Sequence, residues 1–477
     1  VEQPAPETTA PVVTPTQDRD AFTATARVDA QPRETTRHTI DSEVLVRVPG
    51  TRGDPLRAVE LLPGVGRPPF TTGALIVRGS APGDSQFLLE GLPLPLLYHF
   101  GGLTSVVHPR LLDRIDFYPG NFGAKYGRRT GGILDVTLRD PKDDALHGVF
   151  DLNVIDVSAM VEGPVGDRGS FAVAARRSHV DVVLEAVVPD DNDVGIVAAP
   201  VYWDYQGVFN YKLTSHDQIR LLVYGSRDTM RLLFQDPAQS DPVFRGNFGL
   251  RTEFHRVHTS WFHRFSKEFQ QKTDLAVGLS ELEFQFGSDL QFEISSIEIL
   301  GRSEWSWQLS ETVQLIGGLD IRAQPSNFLY RGPQPTQEEG SPGNGISGRD
   351  PISTQALVLG KGDIVVFEPA AYVTADLRPI DPLQVILGLR LDWFGMIQQW
   401  ALDPRAVVRY ALTDQTTLKA GVGAYSQSPA VQEASTQFGN PRLDPIRSLH
   451  VSTGVEQKFN KTYSVGTEVF YKYLWDR

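Results

Sequence analysis

The sequence predicts a mainly β protein in which a small α+β domain precedes a large antiparallel, transmembrane β-barrel. Three observations carry this. From about residue 147 onward, runs of about ten residues alternate apolar and polar side chains on period two, as strands with one face in lipid do. Short turns alternate with longer links along that stretch, the pattern of hairpins closing on one side of a membrane and loops gathering on the other. Ahead of it, residues 35–146 mix short helical and strand-like runs with many glycines and prolines, a compact unit of another kind.

Composition narrows the function classes. At 477 residues the chain is too long for one ordinary core and implies at least two domains. Its 45 basic and 58 acidic residues leave a net charge of −13, which argues against a nucleic-acid partner. There are no cysteines, so disulfides, thiolate chemistry and Cys-based zinc sites are excluded. Apolar stretches stay far below the roughly 18 residues of a membrane-spanning helix, but β-barrels give a weaker signal. No signal segment opens the chain, so Val1 reads as a mature or trimmed start.

The elements follow in order. Residues 1–34 are rich in Pro and Thr and read as a flexible linker, with a strand-like run at 21–29. In 54–65, DPLRAVELLPGV, the apolar residues Leu56, Val59 and Leu62 predict a helix that Pro63-Gly64 ends. ALIVRG (74–79) and SQFLLEGLPL (85–94) predict short strands, and PRLLDRIDFYPG (109–120) a helical turn running into another. YPGNFGAKYGRRTGGILDVTLR (118–139) sets a glycine-rich loop before a strand with Leu134, Val136 and Leu138 on one face. Beyond 146 the faces sort cleanly. Leu383, Val385, Leu387, Leu389, Leu391 and Trp393 share one side of their strand, while Gln384, Arg390 and Asp392 occupy the other. In 463–473, Tyr463, Val465, Val469, Tyr471 and Tyr473 oppose Glu468 and Lys472.

About fifteen such strands are expected, starting near 147, 156, 169, 201, 218, 247, 269, 289, 312, 364, 383, 402, 416, 448 and 462. The longer links include 188–200, 234–246, 325–363 and 427–447. A soluble β-sandwich has no reason to sort its loops by length. Single-chain barrels close with even strand numbers, and the sequence stops within the strand YKYLWDR, so a fragment lacking its last strands is expected.

With this order in place, the chain resembles a TonB-dependent outer-membrane receptor, a plug domain followed by a barrel. LRAVELLPGV resembles the family's early plug helix, and ALIVRGSAPGDSQFLLEGLPLP its Ile-Arg-Gly and Asp-Gly-x-Pro segments. IDFYPGNFGAKYGRRTGGILDVTLR resembles the segment ending in the last plug strand, and GNPRLDPIRSLHVSTGVE a late barrel stretch. The chain departs from the pattern at Pro119-Gly120, at Ile446, and at Glu90, which stands where the family has Asp. The resemblance implies a 22-strand barrel when complete, with about 15 strands here, a plug at 35–146 and barrel at 147–477. It implies the outer membrane of a Gram-negative bacterium, outer-membrane lipid around the barrel, and uptake of a small extracellular ligand. A TonB-type energy-transducing partner and no cofactor are implied as well. GDPLRAVELLPGVGRPPFTTGALIVRG looks most like receptors with a preceding periplasmic domain, which would make residues 1–30 the tail of a longer region. Inside a barrel, the glycines of 118–132 are expected to supply positive φ angles and close backbone approach.

Residue by residue, Glu7, Thr8, Val12 and Val13 roughly match the segment that adds a strand to the energy protein, although Pro11 removes a donor and suits an ordinary linker. Arg78 stands where the family's plug places an arginine that pairs with barrel carboxylates. Glu456, on the lumen side of its strand, and Glu433 are the candidate partners. Tyr98 and His99 are candidate ligand contacts, weighed against a structural role. His255 and His258 face opposite sides of a strand, and His255 and His263 lie roughly 26 Å apart, so no metal site is expected. No nucleophile elbow or phosphate-binding loop is present. The readings are therefore a plug-gated transporter, a non-transporting surface receptor or assembly scaffold on the same fold, and, third, an outer-membrane enzyme.

Overall fold

The computed structural model describes residues 37–41, 51, 54–66, 75–100, 102–182, 194–234, 246–287, 290–333, 357–434, 439–460 and 463–476. The strand-like run at 21–29 lies outside them. Nine short strands build the inner unit: β1 (His38–Asp41), β2 (Val65–Gly66), β3 (Ile76–Val77), β4 (Gln86–Leu89), β5 (Leu92–Pro93), β6 (Tyr98–His99), β7 (Thr104–Ser105), β8 (Leu112–Tyr118) and β9 (Ile133–Leu138). Five of them form one sheet in the order β1-β8-β9-β4-β5, with β4 and β9 parallel and the other pairs antiparallel. The segment at 54–65 is helical but tighter than an α-helix: a 3-10 helix over Pro55–Leu61, capped by Asp54 accepting from the Leu56 amide. A three-residue apolar spacing is the period of that helix, so Leu56 and Val59 stack on one buried edge.

Fifteen strands follow in one antiparallel sheet, each paired with its sequence neighbours: β10 (His147–Leu152), β11 (Asp156–Val165), β12 (Gly169–Ser178), β13 (Val194–Lys212), β14 (Asp217–Phe234), β15 (Gly246–Arg264), β16 (Phe269–Phe286), β17 (Leu290–Ser310), β18 (Val313–Pro333), β19 (Leu357–Ile380), β20 (Leu383–Phe394), β21 (Gln399–Ala411), β22 (Thr416–Gln427), β23 (Ile446–Lys458) and β24 (Ser464–Trp475). The alternation places the strands as read, with Leu387, Leu389 and Leu391 exposed and Arg390 and Asp392 fully buried on the lumen side. Their lengths differ from the expectation of about ten residues. β13 to β19 run for 18 to 24 residues, well beyond the 9–11 or so that cross the hydrocarbon. The link expected over 325–363 shrinks accordingly, because β18 reaches Pro333 and β19 starts at Leu357. Outside lipid the outward face no longer needs to be apolar; Asp363 and Lys361 face out on β19, and a search for lipid-compatible faces stops short there.

The sheet wraps around the inner unit, the plug, whose core does not end at its own boundary. Leu56, Leu111, Ile115, Phe117 and Val136 pack in one cluster with Ala174, Leu222, Tyr224 and Phe254 of the barrel wall. A second cluster joins Tyr118, Phe122 and Tyr126 to Tyr425 of β22.

Candidate functional site at the plug–barrel interface

The glycine-rich loop explains how the plug meets the wall. In 119–131 positive φ angles fall on Asn121 (48°) and Arg128 (58°), not on the glycines. The expectation that glycine supplies them there is corrected; close approach is what glycine provides. A Cβ on Gly127 would lie 2.0 Å from Nε of Arg390, and one on Gly131 would lie 2.7 Å from the Asp84 carbonyl.

Cations of the wall occupy that space and grip plug carbonyls. Arg390 donates to Ala124 O (3.3 Å) and Lys125 O (3.2 Å) while its other nitrogens hold Asp392 (2.7 Å) and Asp320 (3.1 Å). Arg405 donates to the carbonyls of Phe122, Gly123 and Tyr126 and stacks 4.3 Å over Tyr425. Arg302 reaches Gly91 O (2.9 Å), Arg220 reaches Leu138 O (2.9 Å), and Arg256 and Arg176 reach the carbonyls of Pro93 and Ser105. The plug reciprocates with Arg128, which donates to Glu368 O (2.6 Å) and pairs with Asp320 (3.2 Å) and Asp392 (3.4 Å). A guanidinium fits this task because its planar fork serves a carbonyl and a carboxylate at once.

Arg78 takes part, with a partner other than those expected. It sits 2.8 Å from Glu468 of β24 and 4.2 Å below the Phe470 ring, and Lys472, next on that face, donates to Ser80 Oγ (2.7 Å) and Gly131 O (3.2 Å). Glu456 does face inward, but Lys419 (2.7 Å) and Arg409 (3.2 Å) of neighbouring strands hold it. Glu433 accepts from the Ala430 amide (2.8 Å) at the start of a short helix, Val431–Ala434, in the link between β22 and β23.

On the other side of the plug, His99 is fully buried between Asp228 (Nδ1, 2.6 Å) and Asp204 (Nε2, 3.1 Å) and stacks 4.0 Å from the Tyr202 ring. Both ring nitrogens face carboxylate oxygens, so both must carry protons. Burial opposes that charge, but Asp228 and Asp204 outweigh it and the His99 pKa is raised. Arg176 holds Asp204 (2.8 Å) and Thr104, and Asp54 accepts from the amide and hydroxyl of Ser105. Burial pushes the Asp54 carboxyl up, against those bonds. The ligand-contact reading of Tyr98 and His99 is corrected: the Tyr98 hydroxyl donates to Leu56 O (2.8 Å), and both rings are sealed in the interface.

His255 and His263 lie on the outer face and His258 inside, and among the described residues no His and acid cluster suits a metal. Ser260, His258 and Asp274 do meet, yet Ser260 and Asp274 both address Nε2 of His258, which is not a proton-relay geometry. Glu7, Thr8, Val12 and Val13 lie outside the described residues. The residues that sequence reasoning missed, Arg405 and His450 above all, carried only the signal of lumen-facing position on a strand.

Solved structures share this architecture. The ferric enterobactin receptor PfeA of Pseudomonas aeruginosa, in a mutant form, aligns with a TM-score of 0.69 at 15% identity over 93% of this chain and 71% of its own. The outer-membrane transporter YddB of Escherichia coli aligns at 0.67 and 10% identity, over 92% and 69%. The alcaligin receptor FauA of Bordetella pertussis aligns at 0.65 and 13%, over 93% and 71%. No curated protein matches the sequence. The family model described as TonB dependent receptor-like, beta-barrel matches residues 187–477, more than half of the chain. A plug gripped inside such a barrel and that match agree: the chain belongs to the TonB-dependent receptor family.

Proposed function

We propose that the protein is an outer-membrane, plug-gated transporter that takes up a scarce extracellular ligand and is energised by a TonB-type partner in the periplasm of a Gram-negative cell. The observation that supports this is the character of the plug contact. Across β17 to β24 the wall holds the plug chiefly through hydrogen bonds from cations to backbone carbonyls. Such bonds exchange readily for bonds to water, so a pulled plug has a low-cost way to let go. Ferric siderophores are the first ligand class to test, since PfeA and FauA are named for enterobactin and alcaligin. The segment around Glu7 to Val13 is the proposed point of energy coupling.

These 477 residues carry no cysteine, which allows a clean test within them. The Asn121 side chain donates to Ser452 Oγ of β23 at 2.6 Å, so Asn121→Cys with Ser452→Cys sets one thiol on the plug against one on the wall. Under oxidation, uptake of the cognate ferric siderophore should stop and surface binding should persist; reduction should restore uptake. Uptake that continues through a fully formed tether would sink plug gating. A tether with no effect on any nutrient's uptake, in cells whose surface binding depends on the protein, would favour the receptor or scaffold reading.

A further inference from the structure

Charge does not balance where the plug meets β17 and β18. Ion pairs link Arg128 of the plug and Arg302, Arg322 and Arg390 of the wall to Asp320, Glu368 and Asp392, which sets four cations against three carboxylates among the described residues. Arg322 also approaches Glu298 at 4.0 Å, but Glu298 is taken by Arg256, so counting that pair leaves the excess at one. Arg302, Arg390 and the three carboxylates are more than nine-tenths buried, and water screens the surplus little. Arg129, the next residue of the plug, registers it: burial first, then the nearby Arg322 guanidinium, push its pKa down to about 10.

A small cavity lies inside this network. Its volume is about 20 Å³, and its lining includes Gly127 and Arg128 from the plug and Leu300, Arg302, Asp320 and Arg322 from the wall. The arginines keep donors in reserve. Arg302 spends two nitrogens on Gly91 O and Asp320, and Arg322 spends two on Gln324 (2.6 Å) and Glu368 (3.5 Å). The Nε–H group of each is buried and meets no acceptor among the described residues. The same holds for Nε of Arg128, whose 3.4 Å approach to Asp392 is not aligned as a hydrogen bond.

We infer that this cavity binds one monovalent anion of the size of chloride, held between Arg128 of the plug and Arg302 and Arg322 of the wall. Charge, size and proton count each select it. One negative charge is what the network lacks, and a buried cation without a counter-charge is costly. A single water needs roughly 10–15 Å³ of such volume, so the cavity takes a monatomic ion and not a phosphate, a sulfate or a carboxylate group. A guanidinium only donates, so the occupant has to accept without donating. Water would bring two protons of its own. Asp320, the carboxylate in the lining, already accepts from Arg128, Arg302 and Arg390, and the carbonyls of Pro93 and Tyr126 already serve Arg256 and Arg405. The Arg322 side chain is 21% exposed, which gives an ion a way in from the lumen. Bound there, the anion bridges plug and wall, a lock whose strength is set by the medium as well as by the chain. The inference stands apart from the uptake reading.

Two measurements on the full-length protein test it. Crystals grown in bromide should give one anomalous peak in contact with Arg302 and Arg322. In lipid nanodiscs, urea should extract the plug about tenfold more slowly in sodium chloride than in sodium gluconate of equal ionic strength, the ratio for an ion at about ten times its Kd. That protection should saturate. Arg322→Gln brings the count to three against three and should abolish both the peak and the chloride effect, whereas Arg409→Gln, outside the network and paired with Glu456, should keep both. No peak, with equal extraction in the two salts, overturns the inference and leaves water as the occupant. Protection that keeps rising with salt, or survives in Arg322→Gln, is general screening and overturns it too. A peak with no effect on extraction marks an adventitious ion only, and the bridge between plug and wall falls with it.

Discussion

Two histidines bind the plug to opposite sides of the wall, and they do so in different chemical states. His450, on β23, accepts from the Asn121 amide at Nδ1 (3.3 Å) and donates from Nε2 to Thr130 O (2.9 Å), which is the pattern of a neutral ring. His99, on the plug, lies between two carboxylates and needs both protons. The surroundings match. Around His450 the wall holds a loop by its carbonyls; around His99 the plug core runs unbroken into Ala174, Leu222 and Phe254 of the barrel. Arginines reach plug carbonyls on both sides, but the larger apolar cluster crosses into the wall on the His99 side, so that side is the more nearly fused and the His450 side the more nearly gripped. On the uptake reading, this contrast predicts that the β20–β24 side lets go first and that the β12–β15 side acts as the pivot.

The largest effect should come from closing the space the gripped side depends on. Gly131→Val places a branched side chain against the Asp84 backbone, and neither chain segment can yield, because the Gly131 amide already donates to Asp84 O (2.8 Å). The loop should fail to seat, read as protease cleavage within 119–132 of the embedded protein. Full protection would show the contact to be slack and the comparison overstated. Arg390→Met comes next. It leaves Asp392 and Asp320 with one cation fewer in a site with no solvent, a loss of about 3–5 kcal/mol for a broken buried pair. Because those pairs lie within the wall while Arg390 also holds the Ala124 and Lys125 carbonyls, urea should extract the plug at lower concentration and the barrel's own unfolding midpoint should fall as well.

Phe254→Ala probes the fused side at a similar or smaller cost, roughly 3–5 kcal/mol before any relaxation of the cavity. The comparison predicts a different phenotype: plug and barrel should lose stability together, in one transition. Two separated transitions would mean that the plug is not continuous with the wall there.

How far the sequence foretold this depends on what kind of interaction is at stake. Strand order and facing were legible because lipid imposes a rule on every second residue, and Leu387, Leu389 and Leu391 obey it. Above the lipid the rule lapses, which is why β19 was expected seven residues late, at 364 rather than Leu357. Arg78 could be singled out, but its partner could not. Glu456 and Glu468 both face the lumen on adjacent strands, and only the packed neighbours Lys419 and Arg409 decide which acid is already occupied. The carbonyl grip left no trace in composition, since a backbone acceptor is the same at every residue; only the glycines that make room for it were visible.

The smallest effect is also the most diagnostic of which side is which. The His99 pKa is raised in the folded protein above the value near 6.5 of a free imidazole, so the folded state binds the proton more tightly than the unfolded one. The stability this contributes is fully present below about pH 6.5 and is lost as pH rises through the folded value. Loss of one proton leaves the neutral ring a donor to only one of its two carboxylates; Asp204 is still paired with Arg176, and Asp228 still accepts from the Phe100 amide (3.2 Å) and the Ser226 hydroxyl (3.3 Å), but the attraction of a positive ring to both is gone. Resistance of the plug to urea should therefore fall on the alkaline side, and His99→Gln should flatten that dependence. His450 should show nothing of the kind, since a ring already neutral in its contacts gives up no proton as pH rises. A His450→Gln variant that abolished the alkaline loss, with His99→Gln leaving it intact, would reverse the assignment of pivot and grip.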